Sequence, residues 1–116
     1  MSKDLKISEM MDMQMRLWEK HKDKWQPMES QFGKISLLWM VEEMGEVISI
    51  IKKKGDKEIM NNPDVRKHFV EELSDVLMYY NDTLLRFGVT PEEISDAYTE
   101  KHEFDMKRIY NIEYKK

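Results

Sequence analysis

Two stretches of this chain combine an apolar pattern with several acids and no compensating cation. Between Ile35 and Ile51 lie Glu42, Glu43 and Glu46, with no Lys or Arg. Between Phe69 and Leu85 lie Glu71, Glu72, Asp75 and Asp82, again with no Lys or Arg. A fold must turn such acids to water or gather them where something neutralises them, because clustered like charges repel and burial makes ionisation costlier. Glu43-x-x-Glu46 and Glu72-x-x-Asp75 are i,i+3 pairs, which a helix projects from one face. Two such helices side by side bring four carboxylates to one point. An all-oxygen set without His or Cys suits a hard ion, Mg²⁺ with Mn²⁺ as substitute. Gly45 and Ser74, beside these acids, leave room for a close approach, and a mid-helix glycine costs about 1 kcal/mol against alanine. The same spacing in Glu93-x-x-Asp96 and Glu100-x-x-Glu103 is given no site, because the first opens a helix and the second has Lys101, Lys107 and Arg108 nearby.

Local punctuation predicts four main helices. Ser8 is read as the cap of the first, with Met10, Met13, Leu17 and His21 on one face. It fades near Lys24 into a loop, Trp25 to Gly33, with Pro27 and Gly33 as breakers. The second runs roughly from Lys34 to Lys54 and ends at Gly55, its terminal lysines complementing the dipole. After a short polar connection, Asn62-Pro63 starts the third, which runs to about Phe87 and stops at Gly88. Thr90-Pro91-Glu92-Glu93 is a capping box that opens the fourth, and the tail from Asn111 to Lys116 is read as frayed. Two helices of 20 or more residues with short connections favour an antiparallel bundle.

Composition narrows the function classes. With 116 residues, a single domain spanning 1–116 is expected. The absence of Cys excludes disulfides, thiolate zinc and a cysteine nucleophile, and it suits a reducing cytosol. A net charge of −4 weighs against binding a nucleic acid polymer. The longest charge-free run in the apolar region, Ile35 to Val41, cannot span a bilayer, and the opening MSKDLKISEMM lacks a signal core, so a cytoplasmic protein without membrane contact is expected. Methionines on several sides of the first helix suggest a buried partner surface, hence a homodimer or homotetramer.

The runs EEMGEV and EELSDVLMYY, at their interval, resemble the paired ExxE and ExxD motifs of the MazG-like, all-α nucleoside triphosphate pyrophosphohydrolases. The resemblance covers both central helices and implies a four-helix bundle-type fold completed by oligomerisation. It also implies Mg²⁺ held by Glu43, Glu46, Glu72 and Asp75, and hydrolysis of a nucleotide, with a deoxynucleotide favoured, to its monophosphate and pyrophosphate. House-cleaning of the nucleotide pool is the family's theme. Tyr79 resembles an aromatic position lying against the nucleotide, and Asp82 falls where several relatives carry a polar residue. Lys101 and Arg108 fit a K-x-x-x-N-x-x-R pattern of the last helix, with Asp105 in place of the asparagine. Trp39 stands where some members have a lysine.

The chemistry also follows from the residues. A divalent ion bridges the acids to a polyphosphate, and a carboxylate not committed to metal accepts a proton from water, with Glu43 and Glu46 as the leading catalytic bases. Trp25 is a candidate for stacking on a base. Lys54, in the cluster with Lys52, Lys53, Lys57, Arg66 and Lys67, is a candidate for phosphate attraction, against the plain reading of a solvated helix end. Two other readings compete: a helical interaction or regulatory module whose acids face solvent, and an enzyme opening phosphoribosyl-ATP at the same bond.

Overall fold

The computed structural model describes residues 2–108. They form five α-helices and one short 3-10 turn, with no strand among the described residues. The helices are α1 (Ile7–His21), α2 (Gly33–Lys54), α3 (Asp56–Asn61), α4 (Pro63–Arg86) and α5 (Pro91–Lys107). The all-α expectation holds. The expected frayed tail, 111–116, lies outside the described residues.

The strongest start signals act as their chemistry dictates. Asn62 Oδ1 accepts from the backbone N–H of Asp64 at 3.0 Å and of Val65 at 3.3 Å, with Pro63 in the first turn. Thr90 and Glu93 exchange reciprocal bonds at 2.9 and 3.0 Å. Gly55 and Gly88, at φ 85° and 66°, occupy backbone that only glycine adopts cheaply.

Several expectations need correction. Ser8 does not cap α1; the boundary residue is Lys6, whose backbone N–H donates to Glu9 Oε1 at 2.7 Å, so an acid one turn in replaces the serine hydroxyl. The buried residues of α1 are Met11 and Gln14, while Met13 is 51% exposed. The polar connection contains a fifth helix, α3, because Ile59 needs cover and is buried there, while Asp56 and Glu58 favour the helix N-terminus. The loop from Trp25 to Gly33 includes the 3-10 turn Ser30–Phe32, and Gly33 begins α2. Gly33 acts through close approach, since a Cβ there would collide with the Phe87 ring. Gly45 has no such reason within one chain, where its Cβ would meet nothing within 4 Å.

The frame of the fold is the α2–α4 pair, with α1 packed on α4 and α5 packed on α1. The pair is antiparallel: Ser36, near the start of α2, bonds Asp82, near the end of α4, and Ile50 and Lys53 share a cavity wall with Val65 and His68. Val47, Ile50, Ile59, Leu84 and Met11 form a thin core. Many large apolar side chains stay outside it, among them Leu38, Val41 and Ile48 of α2 and Val70, Leu73 and Leu77 of α4. The accessible surface is 9407 Å², whereas a compact monomer of this mass exposes about 6,700 Å². The Cα radius of gyration is 17.1 Å, against about 13 Å expected for this length. Among the described residues, no helix is long and apolar enough to cross a membrane.

Candidate metal centre and its flanking cavities

Glu43 of α2 faces Glu72 and Asp75 of α4 across the antiparallel seam. One carboxylate oxygen from each lies within 4.8 Å of the others, and all three side chains are half-buried. Local periodicity explains the α4 members, which lie three residues apart, and the register of the two helices sets Glu43 against them. The Glu43 carboxyl is held above its ordinary range, first by desolvation, then by the charges of Asp75, Glu72 and Glu46, and by a hydrogen bond with Asp75. His68 Nε2 lies 3.5 Å from Glu72 Oε2 on the outer side. The donor set fits a hard divalent ion: oxygens around Mg²⁺, at about 2.1 Å from the ion, lie about 3 to 4.2 Å apart.

Glu46, expected as the fourth ligand, is not in this group. It is exposed one turn along α2, close enough to add to the repulsion on Glu43. It lines a separate cavity of about 290 Å³ together with Lys53, Lys54, Asp64 and His68. Lys54 is therefore placed in the same cavity as Glu46.

On the other side of the triad lies a cavity of about 460 Å³, walled by Trp25, Trp39 and Tyr79 and floored by Glu43, Asp75 and Asp82. Trp39 and Tyr79 meet edge to face, with ring centroids 5.8 Å apart. Trp25 stacks on His21 at 4.9 Å. The Tyr79 hydroxyl is pushed above its usual value by burial and then by the charges of Glu43, Asp75, Asp82 and Glu42, so it stays a protonated donor. Trp39 enters the wall because it precedes Glu43 by one turn, a spacing that could have marked it.

Asp82 lines the cavity but is buried, and its Oδ2 accepts from the Ser36 hydroxyl and from Arg86 Nε at 2.7 Å. Arg86 Nη1 donates onward to the carbonyls of Pro27 and, at 3.3 Å, Gln26. Trp18 Nε1 donates to the same Gln26 carbonyl at 2.8 Å. The stretch Phe69–Leu85 itself carries no cation, but Asp82 within it is compensated locally after all: Arg86, one residue beyond Leu85, reaches back one turn to pair with it. No buried side-chain polar atom among the described residues lacks a partner.

Lys101 and Arg108 line neither cavity. Both lie over the Phe104 ring, at 5.9 and 5.6 Å, and Arg108 Nη1 is 3.8 Å from Asp105 Oδ1. Helix α5 packs on α1, not on the α2–α4 seam, so these residues are not brought to the triad within one chain. Comparison with protein-family models, with curated proteins and with solved structures gives no match to this chain, so no family is assigned.

Proposed function

We propose that this chain is a Mg²⁺-dependent nucleoside triphosphate pyrophosphohydrolase with a MazG-like helical bundle, acting on a deoxynucleotide. The observation that carries this reading is the convergence of Glu43, Glu72 and Asp75 beside a nucleoside-sized cavity walled by aromatic rings. When bound at the triad, the ion would offset the charge of phosphate oxygens and acidify a nearby water. Glu72 and Asp75 would hold the ion together with Glu43. Glu43, which lines the aromatic cavity as well as the triad, is one candidate to take the water's proton. Glu46, one turn away, is the other candidate base. The water oxygen bonds to the α phosphorus, the bond to the bridging oxygen breaks, pyrophosphate leaves with that electron pair, and a carboxylate takes the water's proton. Trp25, Trp39 and Tyr79 take the nucleoside, with the Tyr79 hydroxyl as a donor.

Incubating the protein with each NTP and dNTP in Mg²⁺ is expected to release pyrophosphate and a nucleoside monophosphate from at least one deoxynucleotide, and none in EDTA. Release of orthophosphate alone, or turnover indifferent to EDTA, would sink the reading. Phosphoribosyl-ATP belongs in the same screen, because opening it uses the same bond.

The reading includes a homodimer or homotetramer in the cytoplasm. The surface exceeds that of a compact monomer by about 2,700 Å², the size of a substantial subunit contact. Light scattering at micromolar concentration is expected to report two or four times 14.1 kDa. A mass near that of one chain would remove this part. The exposed apolar faces of α2 and α4 also favour a second reading, a helical interaction module without catalysis. That module would leave all nucleotides intact and would bind no divalent ion at the triad.

A further inference from the structure

The two cavities and the triad occupy one continuous stripe along the α2–α4 seam. Along α2 the order is Trp39, Glu43, Glu46 and Lys53, at spacings of four, three and seven residues. Along α4, running the other way, it is Arg86, Asp82, Tyr79, Asp75, Glu72 and His68, all at spacings of three or four. Residues at these intervals share one helix face. The groove is aromatic at one end, where Lys24 and the Asp82-paired Arg86 also lie, and acidic in the middle. At the other end it bears two lysines and a histidine, the lysines with no ion-pair partner among the described residues.

The geometry points to the Lys53–Lys54 cavity as a subsite for a diphosphate group, so that a nucleotide lies along the seam with its nucleoside among Trp25, Trp39 and Tyr79 and its leaving pyrophosphate between Lys53, Lys54 and His68. This inference rests on the hydrolase reading and fixes the direction in which the substrate lies. Lys53 is two turns beyond Glu46, about 10 Å along the axis, a gap that a metal-anchored diphosphate and a lysine side chain together cross. The acids Glu46 and Asp64 share the cavity wall with these cations. Their charges offset the lysines, so the subsite accepts a diphosphate only together with the divalent ion. Lys53 and Lys54 are exposed at the C-terminal end of α2, and no packing depends on their ends. Their ammonium groups are free to close on an anion as point charges.

Isothermal titration of inorganic pyrophosphate and of a deoxynucleoside monophosphate, each with Mg²⁺ and with EDTA, tests the assignment. The wild-type protein is expected to bind pyrophosphate in Mg²⁺ and not in EDTA. Lys53→Ala/Lys54→Ala is expected to weaken pyrophosphate binding at least tenfold and leave the monophosphate within twofold, while Lys53→Arg/Lys54→Arg restores pyrophosphate binding. Trp39→Ala is expected to do the reverse, weakening the monophosphate alone. Pyrophosphate affinity unchanged in the double alanine variant, or no binding of pyrophosphate by wild-type protein in Mg²⁺, overturns the subsite. Lysine-dependent pyrophosphate binding without turnover of any nucleotide keeps the subsite and removes the hydrolase reading. Turnover with lysine-independent binding keeps the hydrolase and removes the subsite.

Discussion

Asp75→Asn and Glu43→Gln are each expected to cut pyrophosphate release by at least about a hundredfold, since each removes one negative oxygen donor from a set of three with almost no change in volume. Circular dichroism should show unchanged helicity, because the triad side chains cap no helix and fill no core position. Turnover above a tenth of the wild-type rate in both variants would mean that the triad is not where the chemistry occurs. The same substitution has an opposite effect on stability. The folded-state pKa of Glu43 lies above its ordinary value of 4.5. Its protonated form therefore favours folding, and that contribution is full below the unfolded pKa and lost as pH rises through the folded one. Metal-free Glu43→Gln should melt above metal-free wild type at pH 7 and close to it at pH 4. A divalent ion held by the triad, as proposed, would offset that repulsion.

Arg86→Met is expected to lower the unfolding free energy by about 3 to 5 kcal/mol, measured by chemical denaturation, because it leaves the Asp82 charge buried and uncompensated. The side chains of Arg86 and Asp82 are 4% and 7% exposed, so water cannot substitute for the lost partner. Adding Asp82→Leu to Arg86→Met should recover much of the loss, since removing both charges ends the penalty of an unpaired one. A loss below about 1 kcal/mol for the single variant would mean that the pair is solvated in the folded protein. The change also withdraws a donor from the Gln26 and Pro27 carbonyls beside Trp25. Nucleoside binding in the aromatic cavity should therefore weaken along with the fold.

How far the sequence reveals these features depends on whether a feature is local. The Asn62-Pro63 and Thr90-Pro91-Glu92-Glu93 starts are legible because cap and donor lie within three residues of each other. The Glu72–Asp75 pair is legible for the same reason. Glu46 stands outside the group formed by Glu43, Glu72 and Asp75, an offset that spacing within α2 cannot reveal because it says nothing about the register between α2 and α4. That offset aligns Glu43 with Glu72 and Asp75 and carries Glu46 past them to the His68 end. The Asp82–Arg86 pair is legible as an i,i+4 spacing, whereas the contacts of Arg86 with the Gln26 and Pro27 carbonyls are distant in sequence and no side-chain pattern announces them. The buried face of α1 differs from the expected Met10–Met13–Leu17 face because its methionines surround the helix, so apolar periodicity does not choose between Met11 and Met13. Helix α3 is too short to carry a periodic signal, and a single buried isoleucine decides it.

The Gln26 carbonyl receives donors from Trp18 of α1 and from Arg86 of α4. A single peptide oxygen thus ties two distant parts of the chain to one spot on the surface. Any change in 22–29 that rotates that peptide plane loses both ties at once. Connecting segments commonly absorb insertions and backbone variation, but this one can exchange side chains far more readily than it can alter its path.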